Sequence, residues 1–509
     1  MGKQNEKQEK KDQTVNVLMI DNDNKSVVST YSKENSEDIP EEKSLIYISS
    51  LSDFKSLLRS CIENAMAFLF DWIPNILTLY FINNNTTQLE ASGFGLGLIW
   101  ANSIGQSLYY GLSSGFETLA AHAHGAGNYE QVGILYQRTL YITLLMFIPI
   151  GLSLFYAEDI LLLWNSDEEL CKQAGLYCIS ALPGLFFAAI AFQFKASLNA
   201  QNIYNLQYSA VAWSIPFHWI ISYLFISVFQ LKVIGGGLAF SCSQFTSLYL
   251  LYYLVKQKQE YQKCYIPFDK RCMQEIIPFL KIVIPIGSLL TLEWLVYETY
   301  SILASNLPQA QFSAHIVLSN FNTIYYQLPE GFSIATSTFV GNEMGSNKPN
   351  RAKRFAKYGM IIALLNFSLT LVPIYYLKYE IIKMFSVDEE VFVILEQTFN
   401  VFVITMISDA SQVMLTGLMR AIGKEQFSSV SFIFCYVFFG IFWAYILAYV
   451  CEFEIYGILF GALIGSSSYN ILQLYQLYKS DWHSLAEFIQ ERIGSNESLE
   501  LKEIKEDLV

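Results

Sequence analysis

Residues 111–131 read GLSSGFETLAAHAHGAGNYEQ and residues 331–351 read GFSIATSTFVGNEMGSNKPNR. The second block starts 220 residues after the first, and the two align without gaps: Gly111 with Gly331, Ser113 with Ser333, Thr118 with Thr338, Gly125 with Gly345. A polar, turn-prone stretch follows in both. Small residues also recur wherever helices pack closely. Four coincidences at one offset, with matching loop chemistry, favour a duplicated unit.

Outward from these blocks the chain is a succession of apolar runs. Hydrophobic residues make up 53% of the 509 positions and charged residues only 15%, against about a quarter charged in a soluble protein. Runs of roughly 20 apolar residues cross a ~30 Å hydrocarbon core as helices, because lipid offers no partner for free backbone groups. Twelve spans are expected, at about 57–82, 93–121, 132–157, 171–195, 205–230, 235–256, 277–304, 312–340, 352–378, 391–418, 426–450 and 455–479. The Gly/Ser-rich second span is the least obvious of them. Each repeated block closes the second span of its half. The expected fold is therefore all-α and membrane-integral, with twelve transmembrane helices in two six-helix bundles related by a pseudo-two-fold axis along the membrane normal. Carriers with such repeats rock one half against the other around a central site.

The expected domains are a disordered tail at 1–55, an N-lobe at 56–256, a linker at 257–275, a C-lobe at 276–480 and a tail at 481–509. The first tail is polar and poor in apolar residues, a composition that cannot bury a core, and it lacks the pattern of a secretory signal. Basic residues mark the cytoplasmic loops. Lys256, Lys258, Lys263, Lys270, Arg271 and Lys281 crowd the linker, and Lys348, Arg351, Lys353, Arg354 and Lys357 the loop after the eighth span. The opposite loops, such as AEDILLLWNSDEEL (157–170), are poor in Lys and Arg. Both termini are expected in the cytoplasm. The eight cysteines show no CxxC or CxxH spacing, so neither a metal site nor a disulfide framework is supported.

Three stretches resemble one family. ETLAAHAHGAGNYEQVGILYQR (117–138) looks like the ETLCGQAYGA signature of multidrug and toxic compound extrusion (MATE) transporters. LPEGFSIATSTFVGNEMGSNKPNRAKR (328–354) resembles the second-half counterpart of that signature, and IPIGSLLTLEWLVYE (284–298) is similar to the seventh-helix pattern ending E-W-x-x-[FY]-E. The likeness runs in register from about 57 to 480, and the eukaryotic branch is the closer match. There are departures. Bacterial members often carry an aspartate in the first helix where this chain has Leu77 or Thr78, with Asp71 nearly two turns away. Glu330 stands where the family usually has a small or apolar residue, and histidines replace the Gln and Tyr of QAYGA. The resemblance implies export of small organic solutes, organic cations or other xenobiotics and metabolites, in exchange for protons. Sodium is the alternative ion.

Ionisable residues deep in a span are costly and are functional candidates by default. Low dielectric disfavours the charged form of a carboxyl, which lets a buried acid load and release a proton near neutral pH. Glu293, Glu298 and Asp409 are the candidates for proton or cation coupling. Glu293 and Glu298 project about 140° apart at ~3.6 residues per turn, so Glu293 is the expected coupling acid, with Tyr297 as its hydrogen-bond partner and Glu298 facing a neighbouring helix. By the resemblance, Asp409, eleven residues before Arg420, lines the same cavity as Glu293. Asp71, beside Trp72 and before Pro74, suits a first-half site or a structural salt link, and Glu330 is a weaker candidate. Cations are held by carboxylates and aromatic faces together; the candidate faces are Trp72, Tyr109, Tyr110, Trp294, Tyr297, Tyr325 and Tyr326.

Other classes fit less well. A flippase of lipid-linked precursors needs a basic cavity, whereas the intramembrane charges here are acidic. An enzyme needs a catalytic constellation, and neither His218 nor His315 has a local motif. No Walker A pattern occurs. The expected partners are a small organic solute, protons and the lipid bilayer, with no nucleic acid and no cofactor. The chain is expected to be a monomer in a plasma, vacuolar or other endomembrane.

Overall fold

The computed structural model describes residues 17–20, 26–29, 41–163, 167–258, 263–385 and 388–506. By its contacts the chain divides at Asp53. The first unit holds a two-stranded antiparallel hairpin, β1 (Val17–Ile20) with β2 (Ser26–Ser29), and the start of α1 (Glu41–Asn85). Helix thus reaches back into the tail expected to lack structure at 1–55.

In the second unit the helices follow as α2 (Gln88–Ala101), α3 (Ser107–Gly125), α4 (Tyr129–Phe155), α5 (Ala157–Leu162), α6 (Glu168–Ala200), α7 (Asn205–Ser222) and α8 (Lys232–Lys256). A linker with one 3-10 turn, Lys270–Met273, leads to α9 (Ile276–Ser305), α10 (Gln309–Gly345), α11 (Pro349–Tyr376), α12 (Lys378–Phe385) and α13 (Glu389–Ala421). The chain closes with α14 (Glu425–Ile433), α15 (Phe442–Tyr445), α16 (Glu454–Lys479) and α17 (Trp482–Glu506). α1 runs unbroken through Pro74.

The two halves repeat down to their turns. Residues in the left-handed region fall at matching places: Gly127 (φ 79°) and Asn347 (φ 55°) after α3 and α10, Asn202 (φ 60°) and Gly423 (φ 76°) after α6 and α13, Gln230 (φ 51°) and Glu452 (φ 57°) before α8 and α16. Glycine and asparagine exchange at the first two pairs because these residues tolerate that conformation best. The result is the expected twelve-helix, two-lobe fold. α6 packs on α2, α3, α4 and α8 in the first lobe, and α13 packs on α10 and α16 in the second.

Among the described residues, ten helices are long and apolar enough to cross a membrane. The other two spans are α2 with α3, joined by a π-turn at Asn102–Gln106, and α10. They are the second span of each half, and their polarity has a physical cause. α3 and α10 face protein rather than lipid, with Leu112–Phe116 and Pro329–Thr338 buried throughout. Small residues let their backbones approach closely. Elsewhere apolar side chains point outward, Trp213 73% and Leu369 74% exposed among them, as a lipid-facing surface requires.

The lobes meet at the end that carries the linker. A Cβ at Gly331 would fall 2.6 Å from the backbone N of Ala65, and one at Gly111 2.7 Å from the carbonyl O of Gly287. One turn from the end of the crossing, Gly125 abuts the backbone of Asn342 and Gly345 that of His122. These contacts are reciprocal, as symmetry-related helices demand. The segment after Asp481, expected as a charged tail, folds instead as α17. Its Trp482, Ala486 and Ile489 are buried with Ala421 and Ile422, and it lies across α10 and α11 and reaches α3.

Candidate functional site

Glu293 lies on the buried stripe of α9 formed by Ile286, Leu289, Leu290, Glu293, Val296 and Tyr300. That spacing keeps one helical face inward, so the backbone itself aims the carboxylate into the C-lobe, where it is 4% exposed. Asp409 is placed likewise by α13 between Met406 and Val413, and is 2% exposed. The two acids lie within electrostatic reach of each other. Tyr326 of α10 donates a hydrogen bond to Oε1 of Glu293. The expected partner, Tyr297, faces Asp409 instead, as does Ser466 of α16. Gln412 faces Glu293. Among the described residues, Asp409 Oδ1, the Tyr297 hydroxyl and Gln412 Oε1 are buried atoms that make no hydrogen bond of good geometry, although Tyr297 lies beside Asp409 and Gln412 beside Glu293. Buried polar atoms are nearly always satisfied, and these three set the cluster apart from the surrounding core.

Glu298 lies off the stripe and is exposed. Trp294 is 39% exposed and stacks on Tyr110 of the other lobe, 6.5 Å between ring centroids. Tyr109 and Tyr325, grouped in the sequence with the cavity aromatics, are not there. Tyr109 is in the N-lobe core with Phe81 and Tyr177, and Tyr325 in the C-lobe core with Phe399 and Met406. Each sits next to a tyrosine, Tyr110 or Tyr326, that does reach a carboxylate, because adjacent residues on a helix point about 100° apart.

A second cluster lies on the lobe interface. The Tyr110 hydroxyl of α3 donates to Oε1 of Glu330 on α10. Arg420 Nη1 of α13 donates to Ser114 Oγ of α3. Thr338 Oγ1 of α10 donates to Glu117 Oε1 at 3.3 Å, and Asn199 Nδ2 to Glu117 Oε2 at 3.0 Å. Nearer the linker, His122 Nε2 lies 2.9 Å from the carbonyl O of Ala421, and His124 Nδ1 2.9 Å from Asn342 Oδ1. Glu117 is the acid that the sequence reading did not single out. It opens the ETL motif, but it sits so close to the end of its span that it escaped the search for deep charges.

In the N-lobe, Asp71 accepts an ion pair from Lys195 of α6. This is the structural salt link, one of the two readings open from the sequence. Asp71 stands six residues after Ala65, as Glu293 stands six after Gly287, and those two small residues are the reciprocal crossing points of the fold. Asp71 is therefore the counterpart of Glu293, neutralised by a lysine. Trp72 beside it is half-buried. Thr78, one of the two residues aligned with the bacterial aspartate, is buried and its hydroxyl lies 3.0 Å from His218 Nε2.

The MatE family model matches this chain twice, at residues 64–224 and 285–446. The chain belongs to the MATE family. The match covers the two lobes in turn and respects the internal repeat. Among relatives, the protein is 26% identical over 440 residues to Protein DETOXIFICATION 49 of Arabidopsis thaliana, covering 85% of this chain and 87% of that one. It is 26% identical over 473 residues to Multidrug and toxin extrusion protein 1 of Danio rerio, covering 91% and 78%. Its fold matches the crystal structure of the eukaryotic MATE transporter AtDTX14 with a TM-score of 0.81 at 22% identity, over 88% of this chain and 99% of that one. An outward-facing MATE family transporter matches with a TM-score of 0.76 at 16% identity, over 88% and 97%. This MATE protein is thus a multi-pass membrane transporter of the extrusion type, and its family moves small organic solutes and is not enzymatic.

Proposed function

We propose that this MATE protein exports organic cations in exchange for protons by alternating access, with Glu293 and Asp409 as the coupling acids. One observation carries the reading. The two carboxylates share a buried cluster in the C-lobe, and among the described residues no salt bridge neutralises either, whereas Asp71, the N-lobe counterpart of Glu293, is paired with Lys195. An unneutralised acid pair in low dielectric takes a proton or a cation in turn. Two such acids titrate as a coupled pair, so proton and cation compete for one chamber. A proton drives the cycle only through differential affinity for the two lobe arrangements. The lobes are joined at the linker end in this structure, and the basic residues of that end support a cytoplasmic position for it and for both termini. Protons loading from the far side then displace the cation outward.

The test is efflux of a fluorescent organic cation from sealed proteoliposomes, under a pH gradient and then a sodium gradient. One pH unit is worth about 1.4 kcal/mol per proton. Wild type should accumulate the cation against its gradient under the pH step, and Glu293→Gln should lose this while remaining folded. Undiminished pH-driven transport by that variant refutes the assignment. Transport driven by sodium alone replaces the proton with sodium in the same chamber.

A further inference from the structure

Tyr110 and Glu330 occupy the same position in the two repeats, each immediately before the glycine that opens its block. They therefore meet at the pseudo-two-fold axis, one from each lobe. The glycines beside them sit at backbone-to-backbone crossings, Gly111 against Gly287 and Gly331 against Ala65, so neither helix can slide there while the lobes stay joined. Phe68, Phe192 and Trp294 surround the Tyr110 ring at 6.5, 5.9 and 6.5 Å and shield the bond from water. Glu330 also belongs to the chamber. It lies one turn after Tyr326 on α10, the residue that donates to Glu293. A single face of α10 thus carries one link to the coupling acid and one to the opposite lobe.

We propose that Glu330 is the carboxylate through which proton loading releases the two lobes from each other, an inference that rests on the proton-exchange reading above. A hydrogen bond to an ionised carboxylate is roughly twice as strong as one between neutral groups. Ionised Glu330 holds Tyr110 and keeps the linker ends together. Protonated Glu330 holds it less strongly, and the lobes separate at that end. The charged and titratable groups facing Glu330 are Tyr110 and Glu117 from α3, Glu293 from α9, Tyr326 from its own helix and Arg420 from α13. Arg420 is the cation of this set, and Glu293 and Glu117 are its other acids. Filling Glu293 with a proton or an organic cation therefore alters the charge that Glu330 experiences.

The experiment measures the distance between labels at the far ends of the lobes of the full-length protein in lipid nanodiscs. The labels sit on Leu163→Cys, where the native side chain is 75% exposed, and on the exposed native Cys451. In wild type, acidification should shift the distribution from far-end-open to far-end-closed. Glu330→Gln still accepts from Tyr110 without titrating, and should make the distribution insensitive to pH. Glu330→Ala, which places a small residue at this position as most of the family does, should also be insensitive. Tyr110→Phe should move the ratio toward far-end-closed on the order of tenfold to a hundredfold at neutral pH. Glu117→Gln removes a neighbouring acid but keeps Glu330, so the distribution should still respond to pH. A wild-type pH profile in Glu330→Gln or Glu330→Ala overturns the inference, and so does a profile flattened by Glu117→Gln alone. If Glu293→Gln loses pH-driven efflux while Glu330→Gln keeps the wild-type distance profile, this inference fails and the proton-exchange reading stands. If Glu293→Gln keeps pH-driven efflux, the exchange reading itself has failed.

Discussion

Gly345→Ala adds one methyl group where the lobes cross, and the structure sets what that methyl does. Its Cβ would sit 2.8 Å from the carbonyl C of His122, and the reciprocal Cβ at Gly125 would sit 2.6 Å from the carbonyl C of Asn342. The obstacles are backbone atoms, which cannot rotate aside as a side chain would. Ordinary contact begins at 3.4 Å and the carbonyl oxygens of His122 and Asn342 stand nearer still, so α3 and α10 must part by well over about 0.6 Å, and overpacking of this kind typically costs about 1–3 kcal/mol. That cost falls only on the state in which the linker ends touch. It should appear as a population shift of about 5- to 150-fold toward the arrangement open at the linker end, with little change in melting temperature. Gly95→Ala is the control: nothing lies within 4 Å of its added Cβ, and a helical glycine replaced by alanine gains about 0.5–1 kcal/mol. The assay is the same inter-lobe distance distribution, read beside the melting midpoint. A Gly345→Ala protein with the wild-type distribution, or one that melts early without any shift, shows that this crossing does not hold the lobes together.

Three further outcomes follow from the geometry. Arg492 Nη1 on α17 lies 3.1 Å from Glu425 Oε1, with both side chains largely buried at 14% and 7% exposure. Removing one partner of such a pair costs about 3–5 kcal/mol, so Arg492→Ala should free α17 to proteolysis, and unchanged protection would count against its docking. Lys195→Met should leave Asp71 uncompensated. The pair is partly exposed, so stability should fall by less than about 1 kcal/mol, while cation affinity should rise with the freed carboxylate; an unaltered affinity would show that Asp71 does not face the transport path. In the linker, the Arg271 guanidinium beside Asp269, with bonds of 2.9 and 2.7 Å, holds that carboxyl below the usual range. A carboxyl lowered by folding contributes stability above its unfolded pKa of about 3.9 and loses it as pH falls through the lower folded value. Asp269→Asn should therefore raise linker cleavage at neutral pH and converge with wild type in strong acid.

The fold was legible because it is written twice. Twelve spans, their order and the duplicated blocks follow from apolar length and one offset, and the left-handed pairs Gly127/Asn347 and Asn202/Gly423 are the same repeat in backbone form. What hydropathy shows poorly is the second span of each half, because α3 and α10 trade apolar surface for small residues that face protein. Within the site, Glu293 and Asp409 could be named because charge at bilayer depth is rare. Their partners could not. Whether Tyr297 or Tyr326 reaches Glu293, and whether Tyr109 or Tyr110 reaches the interface, depends on helix rotation and on which helices adjoin, neither of which is local in sequence. Lys195, at the end of its span, and Glu117, inside a family motif, had signals of their own. A search for bases opposite Asp71 and for acids at span ends would have met both.

The departures from the repeat matter more for transport than the repeat itself. Two identical lobes would place equal acids on both sides of the axis, and a cation would then have no reason to prefer either. Here the counterpart of Glu293 is Asp71, and a lysine on the adjoining helix neutralises it. The counterpart of Glu330 is Tyr110, so that an acid meets a donor on the axis where a perfect repeat would oppose two acids. The C-lobe thus holds the pair Glu293 and Asp409 without a salt bridge among the described residues, while on the axis the N-lobe meets Glu330 with a hydroxyl donor. Such an arrangement lets protonation in one lobe be felt as a change in adhesion to the other, which a symmetric pair could not do. Exchanging the two axis residues, with Tyr110→Glu and Glu330→Tyr together, keeps the bond but moves the acid away from Tyr326 and Glu293. The lobes should still join, and coupling of their separation to cation binding should weaken. If coupling survived the exchange, the bond alone would be sufficient and the asymmetry incidental.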